Sequence, residues 1–107
     1  MGLPVAVRKF FGHALNFAQN GEQHSAAKAL KGFAGAGVVE VVEEDADGTY
    51  RAVYTVKFKE AVFVLHCFQK KSKRGIATPR RDMEIIQSRL KIAEALAKEI
   101  RDGKSHS

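Results

Sequence analysis

The sequence holds a single cysteine, Cys67. An internal disulfide framework is therefore excluded, and such usage fits a reducing, cytoplasmic compartment. No Cys/His grouping has zinc spacing, so no metal site is expected. The common glycine-rich phosphate loops are absent, as is a Gly-x-Ser-x-Gly elbow, and no cofactor is expected. No apolar run is long enough to span a bilayer, and no secretory leader pattern opens the chain. Acidic side chains are the scarcer sign, 12 against 18 Lys and Arg, for a net charge of +6. That balance implies a polyanionic partner, nucleic acid or acidic protein, although a generic basic surface would share it.

What is present suits one globular domain spanning the 107 residues, with 104–107 as a frayed tail. Pro4 opens a helical pattern in which Val7, Phe10, Phe11, Ala14, Phe17 and Ala18 share one apolar face, and Gly21 follows as a stop. His24 to Leu30 is compatible with a second short helix. The glycines of Lys31 to Gly37 imply a turn or a close backbone approach. Val38–Glu43, Thr49–Lys59 and Ala61–Lys70 read as three strands, the first two joined by a turn at Asp45 to Gly48. Thr78 is placed as an N-cap with Pro79 at the first helical position. The helix that follows carries Met83, Ile86, Leu90, Ala93, Ala97 and Ile100 on one stripe, with Glu94 and Lys98 as an i,i+4 pair. Strands clustered between terminal helices indicate an α+β fold: a small twisted antiparallel sheet of about three strands, an N-terminal helix or helix pair and a long C-terminal helix.

A two-residue turn at Lys59 and Glu60 sets Tyr54 opposite Leu65 and Ala52 opposite Cys67. One face then carries Tyr50, Ala52, Tyr54, Val56, Phe58, Phe63, Leu65 and Cys67, and is the core side. The other carries Arg51, Val53, Thr55, Lys57, Val62, Val64, His66, Phe68 and Lys70, with Arg51 opposite Phe68 and diagonal to His66. A one-residue slip would exchange the faces of one strand. In this register cations, an imidazole and an aromatic ring share a surface suited to a phosphate-bearing ligand with bases to stack. Beyond the strand lie Lys70, Lys71, Lys73 and Arg74, then Arg80 and Arg81 in the first turn of the last helix. Cations there oppose the helix dipole, so a choice made for stability alone would favour acids. They are compatible with phosphate binding and equally with a solvated basic loop. His66 is a candidate general acid or base, although most strand histidines only pack. Cys67 is expected to face the core.

The segments KALKGFAGAGVVEVVE, GTYRAVYTVKF and AVFVLHCFQKKSKRGIATPRRDMEII together resemble the phage-derived branch of the RelE/HigB-like toxins, the toxin halves of type II toxin–antitoxin pairs in the RelE/ParE superfamily. The likeness runs from about Pro4 to Ala97. Its most specific pieces are Tyr50, Arg51 and Tyr54 on one strand and Leu65, His66, Phe68, Lys70, Lys71 and Ser72 on the next.

The resemblance implies a RelE-like fold with helices against one face of the sheet. It implies an antitoxin partner, often a helix-turn-helix protein, in a heterotetramer or beside a toxin homodimer. It also implies cleavage of mRNA on the ribosome by metal-independent attack of a ribose 2′-hydroxyl on the adjacent phosphate. On that mapping His66 is the acid/base group and Arg51 contacts phosphate. Lys70, Lys71 and Lys73 bind RNA backbone or stabilise transition-state charge. Arg74, Arg80 and Arg81 add to the phosphate surface, and Phe68 stacks a base or packs.

Two departures stand out. The extra strand that usually precedes the first helix is not expected here, which would leave a sheet edge open to pairing or favour dimerisation. The C-terminal catalytic residues of many ribonuclease members have no counterpart here. A non-catalytic relative that binds another target, as gyrase-poisoning cousins do, or an inactive phage remnant is the competing expectation.

Overall fold

The computed structural model describes residues 5–22, 24–33, 37–46, 48–58, 61–70 and 79–103. Six elements follow one another: α1 (Val5–Gln19), β1 (Ala27–Ala29), β2 (Val38–Asp45), β3 (Gly48–Thr55), β4 (Val64–Lys70) and α2 (Arg80–Arg101). The strands form one antiparallel sheet in the order β1-β2-β3-β4. The α+β class and the two long helices agree with the sequence reading.

The segment 24–30 is a turn and a short edge strand, not a helix. The His24 carbonyl accepts from Ala27 N–H at 2.9 Å, and its Nδ1 accepts from Ala26 N–H at 3.0 Å. Its ring lies against Phe10 and Phe17 of α1, at centroid distances of 5.3 and 5.4 Å. Ala27–Ala29 then pair with Val39–Val41, giving the sheet a fourth strand. Pairing along β2 outweighs the weak helical preference of so short a segment. The expected absence of a strand before α1 concerns residues 1–4, outside the described residues.

The β2–β3 hairpin pairs Asp45 with Gly48, as the turn residues indicate. The close approach expected in the glycine-rich segment is found at Gly37. Its φ is +69°, its carbonyl accepts from Val56 N–H at 2.8 Å, and an added Cβ would overlap Lys57 Cβ. That bond carries the β2–β3 pairing one residue past Val38↔Thr55; β3 stops at Thr55 and not at Lys59. β4 begins at Val64 and not at Ala61. The proposed turn at Lys59 and Glu60 lies outside the described residues.

The β3–β4 register agrees from Thr49↔Lys70 to Val53↔His66, including Arg51 opposite Phe68. It then shifts: Tyr54 faces Val64, and Leu65 is the extra residue of a bulge. Leu65 therefore packs on the same side as Val53, whereas simple alternation put it beside Tyr54.

Alternating sheet residues divide the core into two layers. Val39, Val41, Tyr50, Ala52 and Tyr54 pack against Val7, Phe11 and Ala14 of α1. Val38, Val53 and Leu65 pack with Leu30 and Phe33 against Ile86, Leu90 and Ala93 of α2. The helices thus cover opposite faces, not one, and the face expected to be mixed is largely interior. Each large apolar side chain buried this way contributes about 1.5–3 kcal/mol. Ile100 is the exception on the α2 stripe: it is 47% exposed. The expected Glu94–Lys98 pairing is replaced by Glu94 with Lys57 and Lys98 with Asp102, both at 3.2 Å. Cys67 sits opposite Ala52 as expected but is exposed, because α1 packs over β2 while Cys67 lies on the outer strand. No described helix is long and apolar enough to cross a membrane.

Candidate functional site

The bulge and the start of α2 bring four side chains together. His66 projects from β4 to the α2 side, where its Nε2 lies 2.8 Å from Asp82 Oδ1. Both side chains are largely shielded, 14% and 21% exposed. Seven residues along α2, about two helical turns, Arg89 returns to the same side. Its Nη1 donates to the Leu65 carbonyl at 2.9 Å and lies 3.5 Å from His66 Nδ1. Phe68, two residues along the strand, stacks on the imidazole with centroids 4.8 Å apart and planes tilted by 20°.

In the neutral ring these contacts favour one tautomer. A carboxylate only accepts, so Nε2 carries the proton towards Asp82, and Nδ1 keeps its lone pair on the side of the Arg89 guanidinium, which only donates. A carboxylate that holds one imidazole nitrogen leaves the other to act on a substrate.

Neither Asp82 nor Arg89 was singled out from the sequence. Asp82 was visible as the one acid among the cations of a first helical turn, the stabilising placement that the dipole favours. The seven-residue step to Arg89 gains meaning only once α2 is known to lie over β4.

The structure treats the sequence candidates unequally. Arg51 is 7% exposed, and its Nη1 meets Glu40 Oε1 at 3.0 Å. It lies opposite Phe68 as the register requires, but its charge is turned towards β2. Phe68 is half-buried. Lys70 ends β4 opposite Thr49. Lys71, Lys73 and Arg74 lie outside the described residues, as does Thr78.

The N-cap falls on Pro79, without a side-chain cap, and its carbonyl accepts the first helical bond from Met83 N–H at 3.0 Å. Arg80 and Arg81 are exposed, and Arg80 meets Glu84 one turn on, at 3.5 Å. Partial burial raises the pKa of the Cys67 thiol, exposed though the residue is, and burial raises that of the Tyr54 phenol.

Among the described residues no group of three or more His, Cys, Asp or Glu is placed to hold a metal. A cleft of about 550 Å³ lies elsewhere, between the end of α1 and residues 56–58 and 61–62. Its one charged lining residue, Lys57, is paired with Glu94, and it shares no residue with the His66 cluster.

No curated protein and no solved structure matches the chain. A family model does, over residues 1–91, which takes in α1, the sheet, Asp82 and Arg89. The chain belongs to the family of phage-derived Gp49-like proteins (DUF891).

Proposed function

We propose that the protein is the toxin half of a type II toxin–antitoxin module, of RelE/HigB type, and that it arrests growth by cleaving mRNA on the ribosome. The Gp49-like family is associated with toxins of toxin–antitoxin pairs, which supports the coarser part of this reading. The observation that carries the enzymatic part is the His66–Asp82 contact of 2.8 Å, made by two residues that flank a strongly basic stretch of the sequence. An imidazole held by a carboxylate is a positioned acid/base group, a role that contributes typically 10²–10⁴-fold in rate.

In this reading His66 handles the proton of the 2′-hydroxyl. Phe68 supplies a ring for base stacking. Lys70, Lys71, Lys73, Arg74, Arg80 and Arg81 supply phosphate contacts. Arg51 would have to exchange Glu40 for phosphate to act directly, so its part is indirect while that pair persists. A basic, growth-arresting protein needs a neutralising partner, and an antitoxin carrying an acidic segment fits the charge.

The test is inducible expression with mapping of RNA 5′ ends. The wild type should arrest growth and create new ends in translated messages, and His66→Ala should do neither. Arrest without new ends would favour a second reading, a non-catalytic protein acting on another target such as gyrase. That alternative draws on Arg51, whose burial against Glu40 takes the strand arginine away from solvent. No arrest at all would fit an inactive phage remnant.

A further inference from the structure

The working nitrogen of His66 and a cation meet at one edge of the cluster. Nε2 is held by Asp82, while Nδ1 points to Arg89 at 3.5 Å, too long for a strong hydrogen bond. Arg89 is anchored from behind by the Leu65 carbonyl at 2.9 Å, and its residue is exposed. A phosphate oxygen accepting from Arg89 Nη1 at about 2.9 Å would bring a neighbouring 2′-hydroxyl, as the donor, within reach of the Nδ1 lone pair. We propose that Arg89 and His66 Nδ1 together form the point at which a phosphodiester of single-stranded RNA is bound and attacked. Arg89 is then a catalytic residue that holds a non-bridging phosphate oxygen.

The proposal rests on the ribonuclease reading and specifies its chemistry. The 2′-hydroxyl proton moves to Nδ1 as the 2′-oxygen forms its bond to phosphorus. Charge accumulating on the non-bridging oxygens is met by Arg89. The phosphorus–5′-oxygen bond breaks, and the 5′-oxygen leaves with a proton from water. The resulting hydroxide takes the proton from the imidazolium. The products are a 2′,3′-cyclic phosphate and a 5′-hydroxyl end. Asp82 keeps the second proton on Nε2 throughout, so it is a positioning residue.

The test combines nitrogen-15 NMR of the histidines with binding of a 2′-deoxy single-stranded oligonucleotide, which cannot be cleaved, and cleavage of the matching RNA. In the free protein the His66 signals should show Nδ1 unprotonated and Nε2 protonated, and the oligonucleotide should shift Nδ1. Arg89→Ala should abolish that shift, weaken binding about tenfold and lower cleavage on the order of 10²–10³-fold. Arg89→Lys should recover part of both.

Asp82→Asn serves as a second variant, in case loss of the Leu65 anchor unfolds Arg89→Ala. It should lose the Nε2–H signature and cleavage while keeping oligonucleotide binding. A protonated Nδ1 in the free wild type, or an unchanged Nδ1 shift in Arg89→Ala, overturns the proposal. If the wild type cleaves RNA and Arg89→Ala cleaves equally well, this site falls and the ribonuclease reading stands. If the oligonucleotide binds through Arg89 and Nδ1 but RNA is never cut, the ribonuclease reading falls and the phosphate site stands.

Discussion

Asp82 in the first turn of α2 and His66 in β4 meet at 2.8 Å, across sixteen residues of sequence that include the basic segment. The contact ties the helix start to an edge strand and makes one imidazole nitrogen unlike the other. Replacing Asp82 by Asn keeps the volume and removes the charge. Toxicity and RNA cleavage should fall about 10²-fold or more, with thermal stability lowered by only about 1 kcal/mol. Thermal melts beside an expression assay check this. A large loss of stability with activity intact would assign Asp82 to folding alone.

Glu40 and Arg51 form a shielded ion pair, 13% and 8% exposed at the side chains. Glu40→Ala should destabilise by about 2–4 kcal/mol, towards the cost of breaking a buried pair, moderated because Arg51 makes further contacts. The double change Glu40→Met with Arg51→Leu should be less destabilised than Glu40→Ala. Urea titrations of the single and double variants measure the difference.

Two isoleucines of α2 separate its packed and open sides. Ile86 is fully buried and Ile100 is 47% exposed. Ile86→Ala should cost about 2–5 kcal/mol, the range for core truncations. Ile100→Ala should stay within about 0.5 kcal/mol. Equal losses would contradict the placement of α2.

Cys67 is exposed, yet its pKa is raised by partial burial, so less thiolate is present near neutral pH. Iodoacetamide should alkylate it more slowly than free cysteine at pH 7.5 and approach the free rate only as pH rises. The linked stability has a definite sign. A thiol or phenol whose folded pKa is raised stabilises the fold below its unfolded pKa. That contribution is lost as pH rises through the folded value. Cys67 and Tyr54 share this direction, so denaturation midpoints should fall on the alkaline side.

Gly37 combines a φ of +69° with a Cβ position occupied by Lys57. Gly37→Ala should cost more than about 1 kcal/mol, from backbone strain and overlap together. It should also loosen the Val56 N–H bond to the Gly37 carbonyl, measurable as faster amide exchange at Val56.

The helix faces of Val7, Phe11 and Ala14 and of Ile86, Leu90, Ala93 and Ala97 were legible because three- and four-residue periodicity is local information. The pairing of Arg51 with Phe68 was legible from strand alternation. The β1 strand was not, because three residues of mixed polarity carry almost no pattern and gain their shape from β2. Leu65 was assigned to the wrong layer because a bulge leaves no mark in the alternation. His66 and Phe68 could be named from type and position, whereas Asp82 and Arg89 acquire their parts only from the packing of α2 on β4.

The bulge also works as a phase adjuster between two halves of the β3–β4 hairpin. On its turn side, Phe63 and Thr55 close the ladder through a backbone bond and a hydroxyl bond, each 3.0 Å. On its other side, His66 and Phe68 keep the regular pairing that aims them at α2. With the turn-side pairing Tyr54↔Val64 and no extra residue, Ala52 would face His66 and the imidazole would turn to the α1 side. One extra residue thus sets which helix the imidazole meets.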